Sequence, residues 1–187
     1  MDEITKMKLG QWYDANNDET LIKMRAEAKS LAYDLNLVRP DDVEQKNQII
    51  EKLFGELPEN VEIITPFQVD YGTNIKLGKN VFINCNCYFM DCATITVGDF
   101  CFFGPYTGLY TATHPLDYAA RNKGLERALP ITVGNNCWFG ANVSVMPGVT
   151  IGNGCVIAAG SVVTTNIPDN SIAAGVPAKV VKTIKQD

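Results

Sequence analysis

The chain of 187 residues is 46% hydrophobic and 20% charged, and its 16 Lys and Arg against 21 Asp and Glu give a formal net charge of −5. This composition is typical of a globular protein and excludes intrinsic disorder and low-complexity sequence. An acidic chain is poorly suited to binding a nucleic-acid backbone. No run approaches the ~18 consecutive apolar residues of a membrane span, and residues 1–6 lack the basic and then apolar layout of a signal peptide. We therefore expect a cytoplasmic protein with no nucleic-acid or membrane partner.

Residues 1–60 carry apolar side chains at helical spacing. A first helix is predicted after the polar run 16–18, because apolar residues then recur every three or four positions: Leu21, Met24, Ala28, Leu31 and Leu35. Asp41 and Glu44, which follow Pro40, resemble a capping box and predict the start of a second helix. We expect residues 1–60 to form a helical cap on a domain that spans residues 61–184.

The second domain is organised by a six-residue repeat. Its later block places an apolar residue at every sixth position: Val133, Phe139, Val145, Ile151, Ile157 and Val163. An earlier block follows the same rule with one two-residue slip: Leu77, Ile83, Phe89, Val97, Phe103 and Leu109. A period of six excludes both an amphipathic helix and a simple hairpin sheet. It is typical of a triangular parallel β-helix with one short strand per hexapeptide, in which Gly and Asn supply the positive φ of each corner.

The repeat fails between Leu109 and Val133, where the core register would place Pro115, Arg121 and Arg127. We therefore predict that residues from about 112 to 129 form a loop ejected from the coil. The only histidine of the chain, His114, lies at the base of this loop. A neutral imidazole held beside a rigid scaffold can accept a proton from a hydroxyl group near neutral pH, so His114 is a candidate general base.

The six cysteines favour a packing role over metal binding. Four of them (Cys87, Cys101, Cys137 and Cys155) fall four residues after a core position, where a small apolar side chain fits a corner. The segment that holds Cys85, Cys87 and Cys92 lacks paired C-x-x-C spacings, and His114 lies well downstream of it. We expect neither a metal site nor, without an export signal, a disulfide framework.

Several motifs together resemble the maltose and galactoside O-acetyltransferases. They are the hexapeptide run, the segments 12–14 (WYD) and 114–117 (HPLD), and the segments 130–140 (PITVGNNCWFG) and 173–179 (AAGVPAK). The resemblance covers nearly the whole chain. It implies a mainly β protein with a left-handed parallel β-helix, an N-terminal helical cap and one ejected loop. It also implies acetyl-CoA as co-substrate, a sugar hydroxyl as acceptor, and a homotrimer with its active sites between neighbouring coils.

The resemblance assigns roles to individual residues. It implies that His114 is the catalytic base and that the Ala141 N–H stabilises the thioester oxyanion. It places other residues along acetyl-CoA: Ala159, Thr164, Thr165, Lys179 and Lys182. The two lysines match positions near the cofactor phosphates where arginine is common, and lysine lacks the bidentate fork of arginine. The acceptor sugar would contact a polar set: Asp14, Arg25, Asp70, Asn84 and Asp91.

The residues also bear on three other functions. Transfer of acetyl to the amine of an amino sugar or an aminoglycoside-like acceptor stays open, because the same histidine could serve. A zinc enzyme of the carbonic anhydrase type needs several histidines, and the chain has one. A non-enzymatic solenoid would not eject a loop with a histidine at its base, and the sequence predicts no regular outward threonine ladder.

Overall fold

The computed structural model describes residues 1–186. Its helices are α1 (Glu3–Lys8), α2 (Glu19–Leu37), α3 (Val43–Phe54) and α4 (Tyr118–Arg121). Helix α2 begins after Asp18 as predicted, because the Asp18 carboxylate accepts a 2.9 Å hydrogen bond from the Leu21 N–H. Helix α3 is capped one residue later than predicted. Asp42, and not Asp41, accepts a hydrogen bond from the Gln45 N–H at 3.0 Å.

Short strands from residue 62 onward wind into a parallel β-helix with three faces. The first face holds β2 (Glu62–Ile63), β5 (Phe82–Ile83), β8 (Phe102–Phe103), β13 (Trp138–Phe139), β16 (Val156–Ile157) and β18 (Ser171–Gly175), to which β19 (Ala178–Thr183) adds antiparallel. The second face holds β3 (Phe67–Val69), β6 (Cys87–Met90), β9 (Gly108–Tyr110), β14 (Ser144–Val145) and β17 (Val162–Val163). The third face holds β4 (Ile75–Leu77), β7 (Ile95–Val97), β12 (Ile131–Val133) and β15 (Thr150–Ile151). Each coil visits the first, second and third faces in that order, which confirms the mainly β architecture.

The hexapeptide positions line the interior of the coil, as the repeat predicts. Every predicted position from Val133 to Val163 and from Ile83 to Leu109 is buried, and Leu77 is partly buried. A column of aromatic rings runs through this core with centroids 4.6–5.4 Å apart: Phe67, Phe89, Phe103 and Phe139. Such spacing is typical of favourable ring contacts, so the column ties four successive coils together.

The corners turn on residues in the left-handed conformation. Asparagine and glycine hold most of them, as predicted: Asn80, Asn86, Asn136, Asn142, Gly148, Gly154, Gly160 and Asn170. The third coil departs from this rule, because Phe100 and Tyr106 have φ values of 55° and 61°. At such positive φ values, residues that have a β-carbon are disfavoured, and only Asn and Asp are common exceptions.

The corner between the third and first faces is held by a side-chain ladder. The side-chain oxygens of four residues each accept a hydrogen bond of 2.8–2.9 Å from a backbone N–H one coil earlier: Asp99, Asn135, Asn153 and Asp169. Glycine precedes three of the four ladder residues, because the coils approach closely there, whereas Pro168 precedes Asp169. A β-carbon on Gly134 would lie 2.8 Å from the backbone nitrogen of Asn153.

Cys101, Cys137 and Cys155 are buried at this same corner. Their thiols donate to the carbonyl groups of Gly134, Gly152 and Pro168 respectively, each at 3.1 Å. The corner thus needs a side chain that is small and can donate a hydrogen bond to the next coil. The predicted packing role of these cysteines is confirmed.

The chain leaves the coil between β9 and β12, as predicted for residues 112–129, but the ejected segment has regular structure. Strands β10 (Ala112–Thr113) and β11 (Leu125–Ala128) pair antiparallel with α4 between them, and we call residues 112–128 the ejected hairpin. Strand β1 (Tyr13–Asp14) pairs with the other edge of β11. The N-terminal segment therefore packs on the ejected hairpin, while α2 and α3 cover the first coil.

The outer surfaces of two faces differ in polarity. The third face presents a polar row in register: Lys76, Thr96, Thr132 and Thr150. The expectation of no outward threonine ladder is therefore wrong, because three successive coils carry one. The first face presents an apolar row in register: Phe82, Phe102, Trp138, Val156 and Ile172. None of the helices in residues 1–186 is long and apolar enough to cross a membrane.

Candidate active site

His114 follows strand β10 at the base of the ejected hairpin, and its side chain is exposed. Its Nδ1 atom lies 2.9 Å from the carbonyl oxygen of Leu125 in the opposite strand. Because a carbonyl group can only accept a hydrogen bond, this contact requires a proton on Nδ1. The neutral ring then carries its lone pair on Nε2, which is the form that a general base needs.

Asp70 lies next to this hairpin at the corner between the second and third faces. Its Oδ1 atom accepts hydrogen bonds from the Lys29 ammonium at 2.8 Å and the Tyr88 hydroxyl at 2.6 Å. Burial alone would raise the pKa of Asp70, but the hydrogen bonds from Lys29 and Tyr88 outweigh it and hold the pKa below its usual value. Because its pKa is lowered, the Asp70 carboxyl is ionised near neutral pH, although the residue is only 8% exposed.

Asp91 follows the next strand of the same face but points into the corner. Its Oδ1 atom accepts from the backbone N–H groups of Asp70 and Tyr71 at 3.0 and 2.8 Å, and its Oδ2 atom accepts from Asn74 at 3.2 Å. Burial raises the pKa of this carboxyl in spite of these bonds. The side chain has no exposed surface, so the placement differs from the predicted contact with an acceptor. Asp91 instead fixes the backbone that carries Asp70.

Asp14 and Arg25 join the cap to this corner. Arg25 donates to the Tyr71 hydroxyl at 2.8 Å and to the Ala15 carbonyl at 2.5 Å. The Asp14 carboxylate accepts from the Asn17 side chain at 3.0 Å, and this bond is the main reason why its pKa is lowered. Both side chains are half-buried and engaged within the cap.

Glu126 is a polar residue that the sequence did not single out. It lies on β11, one residue after Leu125, and its carboxylate accepts a hydrogen bond from the buried Tyr13 hydroxyl. The Cys92 thiol lies beside Glu126 and Asp70, and burial together with these carboxylates raises its pKa. The period of six gives no information here, because β11 lies outside the coil. Buried Asp70 and Cys92 and partly buried Glu126 thus form one polar group next to the histidine strand.

The remaining predicted contacts lie elsewhere on the coil. Ala141 and Ala159 occupy the corner between the first and second faces on adjacent coils, where a β-carbon on Gly140 would lie 2.5 Å from the Ala159 nitrogen. Thr164 and Thr165 are exposed at the corner between the second and third faces. Lys179 and Lys182 are exposed on β19.

The predicted residues therefore divide between two corners at opposite ends of the second face. Asp70 and His114 lie at the second–third corner, whereas Asn84 and Ala141 lie at the first–second corner. Strand β6, with four residues, separates the two corners by roughly 13 Å. A single copy of the chain therefore does not bring the residues of the two corners together.

Comparisons with known proteins bear on this geometry. Residues 6–58 match the family model described as the maltose acetyltransferase hexapeptide capping motif, and residues 130–165 match the hexapeptide repeat of succinyl-transferase. A relative from Staphylococcus aureus that is named as an acetyltransferase is 54% identical over all of this chain and 94% of its own length.

Two solved structures are similar in both sequence and shape. A maltose O-acetyltransferase from Clostridium difficile is 41% identical, with a TM-score of 0.96 over 100% of this chain and 99% of its own. A galactoside acetyltransferase in complex with coenzyme A is 37% identical, with a TM-score of 0.94 over 99% of this chain and 92% of its own. The coil is therefore the left-handed β-helix of hexapeptide proteins.

Proposed function

The chain belongs to the hexapeptide-repeat acetyltransferase family that includes the maltose and galactoside enzymes, and we propose that it transfers acetyl from acetyl-CoA to a sugar hydroxyl group. The observation that carries this proposal is the hydrogen bond between His114 Nδ1 and the Leu125 carbonyl oxygen. That bond leaves the Nε2 lone pair free to act as general base. The polar group formed by Asp70, Cys92 and Glu126 lies beside it and would receive the acceptor.

In the proposed reaction, Nε2 of His114 takes the proton of a sugar hydroxyl while the hydroxyl oxygen attacks the thioester carbonyl carbon. The Ala141 N–H donates no hydrogen bond to any group in residues 1–186, so it is available to stabilise the oxyanion that forms. The C–S bond then breaks, and the thiolate of coenzyme A takes the proton from His114. The products are an acetyl ester and free coenzyme A.

In the proposed site, the acceptor would meet carboxylates that are held by hydrogen bonds before substrate binds. An ionised carboxylate has several lone-pair positions and can accept from two adjacent sugar hydroxyls. We assign Asp70 to direct contact with the acceptor and Asp91 to positioning of Asp70, since Asp91 is buried. Asp14 and Arg25 would shape the cap side of the pocket. Lys179 and Lys182 would face the phosphates of acetyl-CoA, with Ala159, Thr164 and Thr165 along the rest of it.

We also propose that the chain acts as a homotrimer in which the second–third corner of one copy faces the first–second corner of the next. Such an arrangement would bring His114 of one copy near Asn84 and Ala141 of its neighbour. The first face supports it, because Phe102 and Trp138 are 48% and 57% exposed in an apolar row. Leu116, at the tip of the ejected hairpin, is 97% exposed. Exposed apolar surface of this extent is typical of an interface.

The thiols support the proposal that the protein works in the cytoplasm. All six cysteines are unpaired in residues 1–186. Free thiols persist where the compartment is reducing.

The proposed function predicts the product of the purified wild-type protein. Acetyl-CoA would be incubated with maltose, glucose, a β-galactoside, glucosamine or an aminoglycoside, and the products would be identified by mass spectrometry, because cysteines react with thiol reagents. We expect an acetyl ester of at least one neutral sugar. Amides of the two amines, with no ester, would show N-acetylation instead. No product from any acceptor would contradict the proposed function.

A further inference from the structure

Tyr106 occupies a backbone conformation that suits other residue types. It has a φ of 61° at the corner between the first and second faces. The residues at the equivalent position of neighbouring coils are Asn86, Asn142 and Gly160, which tolerate positive φ at little cost. An aromatic residue gains nothing locally from this conformation. Strain of this kind persists only where the surrounding structure imposes it, and it is frequent at functional sites.

The Tyr106 side chain packs into no core of the chain, since it is 58% exposed. Asparagine at this corner would relieve the backbone strain and would also remove exposed apolar surface. The position thus favours an aromatic ring for a contact that the isolated chain does not make.

The hydrogen bonds of the corner show where this ring lies. The Tyr106 N–H donates to the carbonyl of Cys85 at 3.1 Å, and the Asn142 N–H donates to the carbonyl of Pro105 at 2.9 Å. Cys85 is adjacent to Asn84, and Asn142 is adjacent to Ala141. Asn84, Tyr106 and Ala141 therefore lie on three successive coils. Tyr106 is on the middle one, between the proposed acceptor contact and the proposed oxyanion donor. In acetyl transfer, the hydroxyl group and the thioester must meet between those two residues.

We propose that Tyr106 is a specificity-determining residue whose ring packs against the apolar face of the acceptor sugar. This inference rests on the proposed function. A pyranose ring has a face of C–H groups, which an aromatic ring can cover while hydroxyl groups at the rim bond to Asn84 and, across the interface of the proposed trimer, to Asp70 of the neighbouring copy. The exposed tyrosine would thus select acceptors that present a flat ring to the first–second corner.

Phe100 offers a matched control on the same coil. It has a φ of 55° and is 45% exposed, but it lies at the corner between the third and first faces, away from Asn84 and Ala141. Asparagine and glycine hold the equivalent positions there too, at Asn80, Asn136 and Gly154. Substituting asparagine for either aromatic residue relieves the same strain, but only one of the two changes alters the proposed site.

The experiment measures steady-state acetylation of a neutral sugar, the melting temperature and the molar mass for four proteins. They are the wild type, Tyr106→Asn, Tyr106→Phe and Phe100→Asn. We expect Tyr106→Asn to raise the acceptor KM by roughly three- to tenfold and leave the acetyl-CoA KM within about twofold. Tyr106→Phe should keep the wild-type KM. Both asparagine variants should melt about 2–4 °C higher, and Phe100→Asn should keep wild-type kinetics.

Three results would overturn the inference, and they are distinguishable. An active wild type with an unchanged acceptor KM in Tyr106→Asn removes Tyr106 from the acceptor site and leaves the proposed function intact. A smaller molar mass in Tyr106→Asn assigns the ring to contact between copies. A wild type that acetylates no sugar removes both the proposed function and the role of Tyr106.

Discussion

Two aspartates on successive coils show how burial and hydrogen bonding decide a residue's role. Asp70 and Asp91 both follow strands of the second face, and the family resemblance implies acceptor contact for both. Asp70 accepts from side chains that reach the corner from outside, whereas Asp91 accepts from the backbone inside it. The repeat predicts which corner a residue occupies, but not whether a polar side chain there turns inward. That direction depends on which N–H groups of the neighbouring coil lack partners.

The pKa of Asp70 gives a prediction at this scale. Because its pKa is lower in the folded state than in the unfolded chain, its contribution to stability is fully present above the unfolded pKa of about 3.9. The contribution is lost as pH falls through the lower folded pKa. We expect the difference in melting temperature between wild type and Asp70→Asn to be constant from pH 7 to about 5 and to shrink below about pH 4. A difference that stays constant down to pH 3 would contradict the ionised, hydrogen-bonded state of Asp70.

The coils and the ejected hairpin differ in how far the sequence could predict them. Each coil repeats one local pattern, so the core positions, the corner asparagines and the buried cysteines followed from the period of six. The pairing of β1 with β11 joins Tyr13 to Glu126 across more than a hundred residues without any repeat. This pairing depends on tertiary contacts. The spacing of residues in the sequence therefore could not identify Glu126 as part of the site. The division of the site between two corners also appears only in three dimensions.

The close approach of coils at the third–first corner predicts a requirement for glycine at position 134. Gly134→Ala would place a β-carbon 2.8 Å from backbone and side-chain atoms of the adjacent coil, and neither coil can move freely. We expect a loss of about 1–3 kcal/mol in the free energy of unfolding, measured by urea denaturation. Gly160→Asn is the control, because its corner is open and asparagine holds the equivalent positions of other coils. Equal loss of stability in both variants would contradict the requirement.

The positions of the two corners are the basis for the proposal that the active site is shared between copies of the chain. His114, the proposed base, and Asp70, the proposed acceptor contact, lie at one corner, and Ala141, the proposed oxyanion donor, lies at the other. An apolar outer row on the first face and a polar row on the third give the coil distinct surfaces for association. In a ring of copies, each heterologous contact would join one corner to the other and would complete one site per interface.

This arrangement can be tested by mixing two variants that fail for different reasons. His114→Ala removes the base and should lower kcat by about a hundredfold or more, with acetyl-CoA affinity within a few-fold of wild type. Ala141→Trp fills the opposite corner and should be equally inactive. When the two are co-expressed at equal levels, about one quarter of the interfaces would pair an intact His114 with an intact Ala141.

The measurement is the initial rate of sugar acetylation by the co-expressed mixture, compared with each variant alone and with wild type. We expect negligible rates for the separate variants and about one quarter of the wild-type rate for the mixture. High activity of His114→Ala alone would contradict its role as the base. A mixture as inactive as its components, with both variants folded and assembled, would contradict a site shared between copies.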